Sequence, residues 1–106
     1  MELQIQNAVA ELRDRLSSLY GKRFQSTVVF GSRARGDASP DSDVDVLVVL
    51  GGDVKPFEEI RRAGDIVADV SLRNDLYLSC IYTSESRFEN AETPFLKAVR
   101  REGVRI

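Results

Sequence analysis

The chain has 106 residues, 42% of them hydrophobic and 30% charged, a composition that suits one soluble globular domain with a modest core and excludes a disordered chain. A net charge of −2 gives no basic footprint for non-specific nucleic-acid binding, and the absence of histidine excludes a Ser-His triad and a histidine-ligated zinc hydrolase. One cysteine forms no internal disulfide, and with no signal-like stretch or long apolar span the reading is a cytoplasmic protein with no membrane segment.

In chain order, Glu2 to Tyr20 carries Ile5, Val9, Leu12, Leu16 and Leu19 at steps of four and three, one face of a helix, with Gly21 as a left-handed stop. Glu11, Arg13, Asp14 and Arg15 read as its solvated face. A first strand is predicted over Gln25–Phe30. Directly after it, Gly31-Ser32 lets the backbone approach a ligand and offers N–H groups and a hydroxyl to an anion, for which phosphate is the natural choice. Arg33 and Arg35 add guanidinium groups within the same loop, and Gly36 turns the chain away. Asp37 and Asp41 read as turn residues, whereas the Ser42 hydroxyl is placed to orient a carboxylate or a phosphate oxygen.

The second strand, DVDVLVVL, opens with Asp43 and Asp45 and is closed by Gly51-Gly52. Side chains alternate along a strand, so the two acids share one face with Cα atoms about 6.5 Å apart. Two like charges on an apolar strand call for a cation, and Mg²⁺ suits a pair of carboxylates because it completes its shell with water and phosphate oxygens.

A helix with Pro56 in its first turn is predicted from Asp53 or Val54 to about Leu72, crossing between strands, with Arg61, Arg62 and Arg73 as surface charges. A third strand is predicted over Asp75–Thr83, with Leu76, Leu78, Cys80 and Tyr82 on one face and Cys80 as a small core residue. A helical turn follows Ser84. Thr93-Pro94 opens a last helix whose Phe95, Leu96 and Val99 face inward, and Gly103 stops it. Arg100, Arg101 and Arg105 near that end suit the helix dipole.

The run GSRARG at Gly31–Gly36, with an acid-x-acid pair starting eleven residues after Ser32 and embedded in hydrophobics, resembles the signature of minimal nucleotidyltransferases of the polymerase-beta-like superfamily. The resemblance spans nearly the whole chain and implies a single α+β domain over residues 1–106, a small mixed sheet of three or four strands with helices packed on one side. It implies Mg²⁺, one or two ions, held by Asp43, Asp45 and a third carboxylate on the neighbouring strand. Asp75 is the preferred candidate for that acid, ahead of Asp69 and Glu85. Gly31, Ser32, Arg33, Arg35 and Ser42 would bind the phosphates of ATP or another NTP, and an acceptor hydroxyl would displace pyrophosphate. Small members with GSxARG resemble antitoxins paired with helical HEPN-type toxins, which implies a protein acceptor, AMP transfer to a partner's tyrosine, and no nucleic acid. Two alternatives stay open: an antitoxin acting by contact alone, and a small-molecule nucleotidyltransferase. The oligomeric state is open as well.

Overall fold

A computed structural model describes all 106 residues. Helix α1 (Leu3–Tyr20) buries Ile5, Ala8, Val9, Leu12, Leu16 and Tyr20 and ends as expected at Gly21, with a positive φ of 58° but a ψ of −129° that lies outside the left-handed helical conformation. Tyr20, not Leu19, completes the inward stripe, because its hydroxyl reaches a buried carboxylate. Strand β1 (Phe24–Phe30) leads through the one-turn helix α2 (Ser32–Arg35) and a loop to β2 (Val44–Leu50). Helix α3 (Pro56–Asn74) then crosses to β3 (Leu78–Ser84), followed by α4 (Glu85–Asn90), α5 (Pro94–Glu102) and the two-residue β4 (Val104–Arg105).

The sheet order is β3-β2-β1-β4. Strands β1 and β2 pair antiparallel, β2 and β3 parallel, so the sheet is mixed as expected. A parallel pair needs a long crossover, which α3 provides. Strand β2 is central, and its unbroken VLVVL run is buried on both faces, as apolar runs without alternation are. Val44, Val46, Val48 and Leu50 join α1, α3 and Tyr82 of β3 in the main core. Leu47 and Val49 pack on the opposite face with Val28, Phe88 of α4 and Leu96 and Val99 of α5. This corrects the expectation of helices on one side: α4 and α5 cover the second face, because a strand apolar on both faces requires cover on both.

Helix α3 runs to Asn74, and Asp75 caps it in the left-handed conformation at φ 52°, its N–H bonded to Leu72 O. The third strand therefore starts at Leu78, three residues later than the alternation predicted. Cys80 packs against the main core as expected, and burial pushes its thiol up to about 12. Thr93 caps α5, its hydroxyl accepting from Leu96 N at 3.1 Å. Gly103 does more than stop that helix. A Cβ there would lie 2.5 Å from both Val28 Cγ1 and Val99 O, so only glycine lets the chain pass between α5 and β1 to form β4.

The charged face of α1 is not merely solvated. Arg15 pairs with Asp69, and Glu11 accepts from Arg73 and Asn74, tying α1 to α3. Beyond the far end of β2, Glu59 is 1% exposed. It accepts from Tyr20 Oη (3.1 Å), Arg62 Nη1 (2.8 Å) and the Lys55 amide (3.4 Å), with Arg23 Nη2 at 3.5 Å. Arg23 also donates to the carbonyls of Gly51 and Asp53, which fastens the turn from β2 into α3.

Candidate active site

The site is built where β1 ends and β2 begins. Antiparallel register sets Phe30 opposite Asp45. The next residue, Gly31, has φ 73°, and a Cβ on it would lie 2.4 Å from Asp45 Oδ2. Glycine is required there twice, for the backbone conformation and for the space the carboxylate occupies. From Gly31 the chain enters α2, closed by Gly36 at φ 84°. The N–H groups of so short a turn have no intrahelical acceptors at its start, so they and the Ser32 hydroxyl are donors beside the acids.

Asp45 lies on the face of β2 shared with Leu47 and Val49, and Asp43, one residue before the strand begins, is close enough for its charge to act on Asp45. Asp43 is exposed and Asp45 half-buried. The Asp45 carboxyl is pushed above its ordinary range, first by burial and then by the charge of Asp43, against the opposing pull of Arg35. Neither acid is ion-paired, and Arg35 spends its Nε on Asp37 at 3.2 Å instead. Two neighbouring carboxylates, unneutralised by the protein and flanked by anion donors, form a donor set that fits a hard divalent cation.

The other expected site residues divide. Arg33 is turned away: its side chain is 6% exposed, and its Nη2 donates to the carbonyls of Pro40 (3.2 Å) and Ser42 (2.8 Å), with Nη1 3.8 Å from Glu2. Its Nε is buried without a partner. The expectation that Arg33 joins the phosphate donors is corrected, for a physical reason. Residues two apart on a helical turn point about 200° apart, so α2 sends Arg33 inward and Arg35 outward. Ser42 is likewise committed locally, its hydroxyl accepting from Ser39 N and lying 3.0 Å from Ser39 Oγ. Arg33 and Ser42 thus shape the loop that delivers Asp43.

Asp75 does not join the pair. It sits in the turn before β3, and no group of three acidic or cysteine side chains is placed to hold a metal ion. The reason is that Asp75 caps α3 in the left-handed conformation and residues 75–77 form the turn before β3, where the alternation assigned a strand. Asp69 faces α1 through Arg15. On β3 the residue in register with Asp45 is Ser79, which sequence reasoning did not single out; only the register reveals it. An open hollow of about 980 Å³ between α3 and β3 is lined by Ser42, Asp75, Ser79 and Tyr77 but by neither Asp43 nor Asp45. No helix is long and apolar enough to cross a membrane.

Comparison with known proteins agrees with this fold. Residues 9–99 match the nucleotidyltransferase domain family. Two proteins of Methanocaldococcus jannaschii are similar over nearly their full lengths. "Putative protein adenylyltransferase MJ0604" is 32% identical over 92% of this chain and 93% of its own, and "Putative protein adenylyltransferase MJ0141" is 27% identical over 98% and 100%. Among solved structures, a toxin–antitoxin crystallised with AMP-PNP superposes with a TM-score of 0.65 at 18% identity, covering 94% of this chain and 70% of that one. The chain belongs to the nucleotidyltransferase domain family.

Proposed function

We propose that the protein transfers AMP from ATP to a hydroxyl of a partner protein, and that the partner is the helical toxin of a toxin–antitoxin pair. The observation that carries this reading is the Gly31–Asp45 contact: a backbone turn with free donors lies directly against an unneutralised carboxylate pair. Near-full-length similarity to the two adenylyltransferase relatives and the fold of the AMP-PNP-bound toxin–antitoxin support it.

In this reading Gly31 and Ser32 hold the terminal phosphates through N–H groups and the Ser32 hydroxyl, and Arg35 offsets their charge from the exposed side of α2. Asp43 and Asp45 would hold Mg²⁺, which when bound draws charge off the phosphate oxygens. The acceptor hydroxyl attacks the α-phosphorus in line and pyrophosphate leaves. With no histidine in the chain and no third acid beside the pair, the chain's own bases for the acceptor proton are Asp43 and Asp45.

That missing third acid favours one other reading, an antitoxin that binds nucleotide but silences its partner by contact. Calorimetric titration of ATP, with Mg²⁺ and then with EDTA, tests the site on wild type and on Asp43→Asn/Asp45→Asn. Metal-dependent binding lost in the double variant is expected; no binding by wild type overturns the nucleotide site. Intact mass of the partner after incubation with ATP then separates the readings, since an added AMP group is expected from transfer and an unchanged mass from contact alone.

A further inference from the structure

Next to the carboxylate pair the surface carries a second recess, of about 250 Å³, bordered by Phe30, Gly31, Arg35, Phe95, Ala98 and Glu102. Gly31 forms a wall of this recess and also touches Asp45, so the recess opens within one residue of the proposed phosphate donors. Its composition differs from that of a phosphate site. Phe30 and Phe95 meet edge to face, centroids 5.2 Å apart at 83°, and Phe95 stays 41% exposed although it belongs to an apolar stripe on α5. An edge-to-face pair leaves one flat π surface uncovered, which a third ring can take.

Polar groups stand at the rim. The Arg35 guanidinium can stack on a heteroaromatic plane while its charge serves the phosphates. Glu102 is held only by its exposed neighbour Arg101 at 3.2 Å, a surface pair too weak to occupy the carboxylate. It is an acceptor without a fixed donor, at the end of the slot away from Phe95 along α5.

We infer that this recess is the nucleobase subsite, with Phe95 as the stacking platform and Glu102 accepting a hydrogen bond from an amino group on the base edge. The inference rests on the proposed nucleotidyltransferase reading and deepens it, because it assigns the base preference to α5. Adenine offers the flat purine face and the amino donor together. Uracil offers less area and, at the corresponding edge, a carbonyl that the Glu102 carboxylate repels.

The test uses the full chain with Mg²⁺ and three probes in calorimetry: inorganic tripolyphosphate, ATP and UTP. Wild type is expected to bind tripolyphosphate and to bind ATP at least ~10-fold more tightly than either tripolyphosphate or UTP. Phe95→Leu keeps the apolar contact with Phe30 and removes the π face; it should weaken ATP ~10-fold and leave tripolyphosphate unchanged. Glu102→Gln should narrow the ATP-to-UTP ratio several-fold without altering tripolyphosphate. Equal affinity for ATP and tripolyphosphate, or ATP affinity indifferent to both substitutions, overturns the subsite and leaves the phosphate site standing. Failure of wild type to bind tripolyphosphate and ATP alike overturns the underlying reading instead.

Discussion

The two ends of β2 handle negative charge in opposite ways. Where the strand begins, Asp43 and Asp45 lie together with no cation of the protein committed to them, and Asp45 is pushed toward its protonated form by burial and by its neighbour. Past the other end, Glu59 is far more deeply buried yet surrounded by Tyr20, Arg62, Arg23 and the Lys55 amide. A buried carboxylate with its partners in place is a fastener; a carboxylate pair left without them is the place where the proposed cation would sit. The contrast distinguishes the two kinds of acid by environment, since residue type alone does not.

The comparison breaks most sharply at Asp45. Asp45→Asn should lower nucleotidyl transfer about 10³-fold, measured by pyrophosphate release with the partner present. The same change removes like-charge repulsion, so the Tm of the ligand-free protein should hold or rise slightly. A lowered Tm would mean that Asp45 is structural after all. At the opposite pole Glu59→Gln should do the reverse. It leaves Arg23 and Arg62 beside an uncharged side chain, costing about 1–3 kcal/mol in urea denaturation, while ATP affinity stays within twofold.

Gly31→Ala sits between the poles because it touches both backbone and site. A methyl at φ 73° and 2.4 Å from Asp45 Oδ2 should cost about 1–3 kcal/mol and weaken Mg-ATP in the same variant. A Gly31 variant with full stability would show that the turn relaxes away from Asp45.

A smaller effect tests the fastened end by pH. The Tyr20 hydroxyl is pushed from 10.0 up to about 12, first by burial and then by its hydrogen bond to Glu59, and the Cys80 thiol from 9.0 up to about 12 by burial. Both groups are neutral when protonated and hold their protons more tightly in the folded state. Their stabilising effect is complete below pH 9 and is lost as pH rises toward 12, because the unfolded chain releases protons that the fold retains. Urea midpoints should therefore fall between pH 9 and 11, and Tyr20→Phe/Cys80→Ala should flatten that slope. The smallest change is at the cap: Thr93→Ala should cost about 1 kcal/mol by removing the acceptor for Leu96 N, with no effect on ATP affinity.

The parts of the protein that were legible in the sequence are those governed by local rules. The stripe Ile5–Leu16, the glycine stop at Gly21 and the Thr93 cap follow from period, positive-φ glycine and capping, and each stands in the structure. The same rules failed at Asp75, where alternation predicted a strand start but the chain turns in the left-handed conformation to close α3, and β3 begins only at Leu78. They failed again at Arg33 and Arg35, which look alike as letters in a loop but point apart once Ser32–Arg35 winds into a turn.

What the chain order alone settled, then, is the chemistry of one stretch: donors after one strand, two acids on the next, and a helix to bring the third alongside. Only the tertiary structure decided that Gly31 lies against Asp45, that Ser79 and not an acid is their neighbour on β3, and that α5 sets Phe95 beside Phe30 at the mouth of the site. These are contacts between residues far apart in sequence. They are fixed by register and by the burial of both faces of β2, quantities that belong to no single segment.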